Sequence, residues 1–341
     1  MSRWASLSLL ACGVLFAQGP VSADNVQGAL PTAERSQHPE EDAGRWFERM
    51  SKAAQSLNYA GTFVYQNRGQ LEAMHIIHAM DAQGERERLL SLTGPRREVL
   101  RDNQVVTCIL GDSRSVHVNK SRPRTPFPVR FPKELMQLEK YYSFQVKGED
   151  RVAGRDCRVV AVKPRDKLRY GRRLCVHEDS HLLLRSELTS PDGRAIEQVM
   201  FTSVEFPDRI DDSALLPDVR SADFTWQREP DQQPEPGDRA ADSRWKVIQV
   251  PDGFILTDHS WHQLTAHQAG VEHWVYSDGL ASVSVYIEAS HSGKDEEPHS
   301  GVSHRGALNA YGTMVDGYYV TVVGEVPRRT VEMIGQSVRI K

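Results

Sequence analysis

The sequence predicts an α+β fold: a large N-terminal open antiparallel half-barrel with covering helices, followed by a smaller C-terminal antiparallel α+β domain. Three observations indicate this. Short β-prone runs follow one another through hairpin-length turns from Tyr59 to Glu205. A proline-rich, charged segment at 221–243 has the composition of a linker, and 341 residues suffice for two domains. Beyond it, a second set of β-prone runs ends in a helical pattern. We therefore expect domains at 41–220 and 244–341.

Residues 1–23 have the features of a secretory signal peptide. Arg3 supplies the positive charge, a short apolar run follows, and residues 21–23 are small, as a signal peptidase requires. The run is shorter than the roughly 20 apolar residues that span a bilayer. Two alternatives stay open, an apolar N-terminal helix of the fold and a lipoprotein signal ending before Cys12. The favoured expectation is an exported, soluble, periplasmic protein with a flexible leader at 24–40.

Composition narrows the function classes further. A hydrophobic content of 39% and a charged content of 26% are ordinary for a folded protein. The formal net charge is -4, and removing the signal would take away Arg3 and no acidic residue. A general nucleic-acid binder needs a basic face, so the acidic balance argues against that class while leaving a local basic patch open.

One helix and ten strands are predicted in the first domain. Apolar residues at helical spacing indicate an amphipathic helix that packs on a sheet; they are Trp46, Phe47, Met50, Ala54 and Leu57. The predicted strands are 59–66, 74–80, 86–92, 98–102, 104–110, 115–119, 157–163, 172–177, 182–188 and 197–205.

A proline-rich insertion interrupts these strands and is followed by a short predicted helix at 133–142. Four prolines between 121 and 132 resist both helix and strand, and basic and aromatic residues alternate with them. One interpretation is a lid over a cavity, where cationic groups bind lipid phosphates and apolar groups line the opening. The alternative is a long surface connection. The candidate lipid-binding residues are Lys120, Arg122, Arg124, Phe127, Arg130, Phe131, Leu135, Leu138 and Tyr142.

The second domain is predicted to contain six strands and a final helix that starts near Pro327. The strands are 245–250, 254–261, 271–277, 281–288, 307–313 and 318–323, and the helix includes Val331, Ile334 and Val338. Aromatic residues are frequent here, and exposed Trp or Tyr side chains often anchor protein interfaces. The candidate partner-binding residues are Trp261, Trp274, Tyr276 and Tyr286.

The cysteines suggest one disulfide. Cys157 and Cys175 flank a polar turn and would lie on neighbouring strands, and an oxidising compartment would permit a bridge between them. A bridged and an unbridged pair both stay open from spacing alone. Cys108 lies in an apolar run and is predicted to be a buried thiol.

Motif searches indicate binding rather than catalysis. His75 and His78 are three apart on a predicted strand, which places them on opposite faces, and no zinc spacing occurs. Nucleophile and phosphate-loop motifs are also missing from the sequence, although a triad built from distant residues stays open. We expect no cofactor, no metal and no enzymatic activity.

Four stretches resemble the RseB/MucB family of sigma-factor regulators. In the first domain they are Leu57-Asn58-Tyr59-Ala60-Gly61-Thr62-Phe63-Val64-Tyr65 and Gly94-Pro95-Arg96-Arg97-Glu98-Val99. In the second domain they are Tyr276-Ser277-Asp278-Gly279-Leu280-Ala281-Ser282-Val283-Ser284-Val285 and Val320-Thr321-Val322-Val323-Gly324-Glu325-Val326-Pro327. The similarity extends over essentially the whole exported chain in the same order.

The resemblance implies a first domain like the lipoprotein carriers LolA and LolB. It also implies a negative regulator that binds the periplasmic part of a transmembrane anti-sigma factor (MucA or RseA in the family). Such a regulator shields its partner from regulated proteolysis, envelope lipid or lipopolysaccharide releases it, and the output includes the envelope stress response and alginate production. The alternative is a periplasmic lipid or lipoprotein carrier of the LolA/LolB type; a homo-oligomer is compatible with both.

Overall fold

The computed structural model describes residues 39–67, 69–120, 138–217, 224–228, 243–263, 270–289 and 300–341. The predicted signal peptide and all of the leader up to residue 38 lie outside these residues. Pro39 and Glu40, the last two leader residues, belong to helix α1, Pro39–Ser56. In the described part of the chain, every helix is too short or too polar to cross a membrane.

The first sheet has twelve strands in the described residues. They are β1 Tyr59–Asn67, β2 Gln70–Asp81, β3 Gly84–Ser91, β4 Arg97–Asp102, β5 Val105–Leu110, β6 Ser115–Lys120, β7 Tyr142–Val152, β8 Arg155–Pro164, β9 Gly171–His177, β10 Leu183–Thr189, β11 Ala195–Glu205 and β12 Thr225–Arg228. Their order is β12-β6-β5-β4-β3-β2-β1-β11-β10-β9-β8-β7. Only β12 joins its neighbour in parallel, and all other pairs are antiparallel. The predicted open antiparallel sheet is confirmed.

β1 lies in the middle of this sheet, and its burial pattern shows which face of the strand packs on the core. Tyr59, Gly61 and Phe63 alternate with less buried residues, which is the period of a strand with one face on the core. β1 pairs with β2 on one side and with β11 on the other, so the last long strand of the domain returns beside the first. The hydrophobic cluster there includes Phe201, whose ring lies 5.9 Å from that of Phe63.

Helix α1 covers one end of the sheet. Ala43, Phe47 and Met50 are buried at spacings of three and four, and the ring of Phe47 packs edge-on against Phe144 at 5.3 Å. The amphipathic pattern therefore has the predicted structural role. Leu57 follows the end of the helix and packs instead with the neighbouring cluster around β1.

Two strands of the first sheet differ from the sequence-based expectation. The predicted helix at 133–142 does not include Tyr142, which is the first residue of β7. The alternation of Tyr142, Phe144 and Val146 is short and is followed by the polar stretch 147–151, so the strand pattern is weak in sequence. Thr225–Arg228, within the segment predicted as linker, forms β12 by pairing with β6, a contact between distant segments that no local pattern encodes.

The second sheet has six strands in the described residues, in the order β14-β15-β16-β19-β18-β17. They are β14 Ile255–Gln263, β15 Gly270–Ser277, β16 Ser282–Ala289, β17 Gly301–Arg305, β18 Leu308–Val315 and β19 Tyr318–Gly324. Helix α2, Arg328–Gly335, packs on this sheet through Val331 and Ile334. A separate pair joins β13 Trp245–Val247 to β20 Val338–Ile340. Val338, predicted in the last helix, is therefore in a strand, because its pairing with β13 replaces a further helical turn.

A disulfide joins Cys157 on β8 to Cys175 on β9, with Cα atoms 5.5 Å apart. Both residues are buried in the cluster around β1. Cys108 is a free thiol and is half-buried rather than fully buried.

His78 on β2 is a buried titratable group in the first sheet. It stacks on Tyr59 at 4.9 Å, its Nδ1 lies 2.8 Å from the Leu57 carbonyl and its Nε2 lies 3.3 Å from Glu85. Burial alone would lower the pKa of His78, but the bonds to Glu85 and Leu57 and the charge of Glu87 raise it above 6.5.

Because the folded-state pKa is raised, the stability that His78 contributes is fully present below its ordinary pKa of 6.5 and is lost as the pH rises through the folded-state pKa. We expect the difference in unfolding free energy between the wild type and His78→Gln to shrink from about pH 5.5 to about pH 8.5. Urea unfolding at both pH values measures it. Taking the difference cancels the contributions of the other histidines. A difference that grows with pH would contradict the prediction.

Candidate binding site between the two sheets

The loop between β8 and β9 joins the two sheets, which belong to one compact unit, His38–Lys341. Arg169 in this loop is completely buried, and its Nε donates to the Asp278 carboxylate of the second domain at 2.6 Å. Its other nitrogens donate to Asp166 and to the backbone carbonyl of Asp252. Burial alone would lower the pKa of Arg169, but the hydrogen bond and charge of Asp278 raise it. We call this loop, Arg165–Tyr170, the latch.

Both carboxylate oxygens of Asp278, the partner of Arg169, accept further hydrogen bonds. One oxygen of Asp278 accepts from the backbone N–H groups of Leu280 and Ala281 at 2.9 and 2.8 Å, which closes the turn after β15. The other accepts from the Tyr142 hydroxyl at 2.9 Å. Burial and the Asp278 charge raise the pKa of Tyr142, so this hydroxyl stays a donor. Asp278 thus accepts four hydrogen bonds, two from its own turn and one each from Arg169 and Tyr142 of the first domain.

Aromatic rings surround the guanidinium of Arg169. The ring centroids of Tyr141, Tyr142 and Phe254 lie 5.1, 5.7 and 4.9 Å from its central carbon. Two rings come from the first domain and one from the second, so the cation contacts ring faces from both. Further bonds cross the interface nearby: Thr330 Oγ1 donates to the Leu168 carbonyl at 2.7 Å, and Asn309 Nδ2 donates to the Tyr170 hydroxyl at 3.1 Å.

Substitution of Gly253 tests how tightly the ring of Tyr141 packs at the interface between the domains. Its φ is +87°, and a Cβ there would meet the ring of Tyr141. Gly193 has a similar φ of +81°, and a Cβ there would have no atom within 4 Å. We expect Gly253→Ala to lower the unfolding free energy by about 1 to 2 kcal/mol more than Gly193→Ala, since overpacking adds to the shared backbone strain. Urea titration of both variants measures this, and equal losses would show that the ring yields freely.

A cleft of about 450 Å³ lies beside the latch, with walls from both domains. The first domain contributes β1, β9, β10 and β11, and the second contributes β14, β15, the turn after β15, the first residue of β16 and Glu325. An adjoining cavity of about 320 Å³ shares Arg172, residues 280–282 and Glu325 with it. The lining residues of the larger cleft are Tyr65, Arg172, Ser186, Leu188, Glu197, Gln198, Val199, Thr257, Val275, Ser277, Gly279, Leu280, Ala281, Ser282 and Glu325.

Most of the predicted lid lies outside the described residues. This applies to Arg122, Arg124, Phe127, Arg130, Phe131 and Leu135, and the side chain of Lys120 at the end of β6 is likewise outside. Leu138 and Tyr142 are described and are 1% and 2% exposed. Leu138 packs with α1, whereas Tyr142 bonds to Asp278, so neither is on an open surface. The lid itself stays a prediction.

The four candidate partner-binding aromatics have different environments. Trp274 and Tyr276 are 5% and 8% exposed and pack in the core of the second domain. The Trp274 indole donates to buried Glu272 at 2.8 Å, and Glu272 also lies 2.8 Å from His259 Nε2. Trp261 on β14 is 50% exposed. Tyr286 is half-buried and stacks on His273 at 4.3 Å.

Sequence reasoning missed the latch. Arg169 lies in the polar turn between Cys157 and Cys175, and Asp278 belongs to one of the four family-specific stretches, but no sequence pattern connects the two. Their separation of 109 positions hides the contact. No group of three or more His, Cys, Asp or Glu side chains that could hold a metal ion occurs among the described residues.

The fold and interface define a two-domain, β-rich protein in which an open curved sheet is latched to a smaller sheet. The chain belongs to the MucB/RseB family: the family's N-terminal domain matches residues 42–219 and its C-terminal domain matches residues 239–339. The resemblance seen in the four sequence stretches is thereby confirmed.

Several named relatives support this assignment. Sigma factor AlgU regulatory protein MucB of Pseudomonas aeruginosa is 33% identical over 300 residues, which cover 87% of this chain and 91% of that protein. Sigma-E factor regulatory protein RseB of Salmonella typhimurium is 27% identical over 339 residues, covering 99% and 98%. The crystal structure of MucB in complex with MucA(peri) has a TM-score of 0.68 at 30% identity, covering 88% of this chain and 99% of the solved one.

Proposed function

We propose that this protein is a periplasmic regulator of an extracytoplasmic-function sigma factor, acting by binding the periplasmic part of a transmembrane anti-sigma factor. The observation that carries the proposal is the similarity of both domains, over 88% of the chain, to a MucB structure solved with MucA(peri). The relatives are named as sigma-factor regulatory proteins, which supports a binding role rather than catalysis.

In the proposed mechanism, binding shields the anti-sigma factor from the first regulatory protease. Envelope lipid or lipopolysaccharide then weakens the complex, the anti-sigma factor is cut, and the sigma factor is released. The envelope stress response and alginate production would be the outputs. The predicted signal peptide supports the periplasmic location.

The test uses the purified chain and the periplasmic fragment of the anti-sigma factor from the same organism. Isothermal titration should show saturable binding, and the complex should slow cleavage of the fragment by the regulatory protease. Trp261 is the leading candidate for a direct contact because half of its surface is exposed. Absence of binding would remove the proposal, whereas transfer of lipid between vesicles by the protein would indicate a carrier.

The proposed lipid site lies in the lid. Replacing Arg122, Arg124 and Arg130 together by Gln should reduce the effect of lipid on the complex and leave anti-sigma affinity within about twofold, because phosphate binding depends on guanidinium groups. The measurement is dissociation of the complex by lipopolysaccharide micelles. An equal loss of both properties would indicate a general interface in place of a lipid site.

A further inference from the structure

Arg172 on β9 has an unusual environment for an arginine in this protein. Its side chain is half-buried and lines both cavities between the sheets. Among the described residues, its guanidinium forms no hydrogen bond and no ion pair, whereas Arg169 pairs with Asp278 and the adjacent Arg173 pairs with Glu187 at 3.0 Å. Burial lowers the pKa of Arg172 despite the carboxylates nearby. The Arg172 guanidinium lines the cleft without a hydrogen-bonded partner in the part of the chain that the structure describes, so it is available to an anionic group that enters there.

The second domain contributes a group of opposite charge to the same cavities. Glu325, one residue beyond β19, also lines both cavities, and its carboxylate lacks a hydrogen bond or ion pair within the described part of the chain. Burial and repulsion by Glu197 raise the pKa of Glu325, and the charge of Arg172 acts in the opposite direction without cancelling them. The Glu197 carboxylate already has hydrogen-bond donors: it accepts from Asn67 Nδ2 at 2.8 Å and from the Ala307 backbone N–H at 3.2 Å.

The cleft therefore presents one unpaired cation on the first domain and one unpaired carboxylate on the second. Its volume of about 450 Å³ is in the usual range for small-molecule sites, roughly 300 to 1,000 Å³. Leu188, Val199 and Val275 supply apolar wall, and Ser186 supplies a hydroxyl group. A ligand with a charged group at each end and a short apolar middle matches these surfaces.

The charges also select the type of anion. Arg172 contributes one positive charge, and Glu197 and Glu325 contribute negative charge to the same cleft. A dianion would be repelled by the two carboxylates, whereas a monoanionic oxyanion can pair with the guanidinium through two parallel bonds. An ammonium group on the same ligand would balance Glu325. The shared chemistry is that of amino-carboxylates and of zwitterionic phosphodiester headgroups.

We propose that the cleft between the two sheets binds a small zwitterion, whose carboxylate or phosphodiester pairs with Arg172 while its ammonium group pairs with Glu325. Such a ligand bridges the two domains and stabilises their arrangement. If the anti-sigma factor recognises the same arrangement, a consequence that rests on the proposed function, zwitterion and anti-sigma factor enhance each other's binding by the same factor.

The test is calorimetric titration of the full chain with glycylglycine, 6-aminohexanoate and glycerophosphoethanolamine, beside acetate and propylamine as singly charged controls. At least one zwitterion should bind one-to-one and at least about tenfold more tightly than either control. Binding by glycylglycine or 6-aminohexanoate identifies an amino-carboxylate site, and binding by glycerophosphoethanolamine a headgroup site. No heat of binding from any zwitterion at millimolar concentrations overturns the proposal.

Matched variants assign the site. Arg172→Gln and Glu325→Gln should each weaken zwitterion binding at least about tenfold, whereas Arg173→Gln, one position along the same strand, should leave it unchanged. Circular dichroism melts establish that each variant is folded, and Glu325→Gln carries the test if Arg172→Gln does not fold. Unchanged binding in both site variants, or an equal loss in Arg173→Gln, overturns the assignment. Anti-sigma binding is measured separately without zwitterion, so its presence or absence is independent of this result.

Discussion

Arg169→Ala should destabilise the folded protein by about 3 to 5 kcal/mol and separate the two domains. The substitution leaves the Asp278 carboxylate buried without its cation and removes the cation from among the rings of Tyr141, Tyr142 and Phe254. Urea unfolding measures the loss of stability. Small-angle scattering in native buffer should show an increased radius of gyration, because the remaining interface bonds, such as Thr330 to Leu168, are individually weak.

Arg173→Ala is the matched control. Arg173 is on the adjoining strand and pairs with Glu187, but its side chain is 46% exposed, so its removal should cost less than about 1 kcal/mol. Combining Arg169→Met with Asp278→Asn should recover part of the loss, since Asn keeps an oxygen for the N–H groups of Leu280 and Ala281 without the charge. If Arg169→Ala and Arg173→Ala were equally mild, the latch would not hold the domains together.

Removal of the disulfide is the second large effect. Replacing Cys157 and Cys175 together by Ala should lower the unfolding free energy by about 3 kcal/mol, because the bridge closes a loop of 18 positions and restricts the unfolded chain. Both sulfurs lie in the cluster around β1, so small cavities add to the loss. Guanidinium unfolding of the oxidised wild type and the double variant measures the difference.

Cys108→Ala provides the comparison for this prediction. Cys108 is free and half-buried, so its replacement should change stability by less than about 1 kcal/mol. Adding a reductant to the unfolded wild type should reproduce the loss seen in the double variant and should not affect that variant further. A reductant effect of the same size in the double variant would mean that the bridge is not its cause.

The local elements of the fold could be predicted because their signals are short-range. The alternation of Tyr59, Gly61 and Phe63 and the helical spacing of Phe47 and Met50 each determine which face of an element is buried. Hairpin-length turns then make neighbouring strands antiparallel. The sequence did not predict elements with little apolar alternation, such as β12. Its conformation depends on pairing with a strand that is distant in sequence.

For the candidate site, too, the sequence predicted some features and not others. Family-specific stretches led to the family and to the proposed role, and the signal-like N-terminus led to the expected compartment. The side chains singled out for binding were chosen by residue type, and residue type does not report burial. Trp274 and Tyr276 are therefore core residues in the folded chain, while Trp261 is half exposed on the same sheet.

The sequence by itself determined the fold class, most of the strands in both sheets, the helix that covers the first sheet and the family. Only the tertiary structure decided that Arg169 is enclosed by the second domain and that Arg172 and Glu325 line one cleft. The reason is that periodicity depends on neighbours a few positions apart. An interface instead joins residues more than 100 positions apart, such as Arg169 and Asp278, and their proximity exists only once both sheets have formed and packed together.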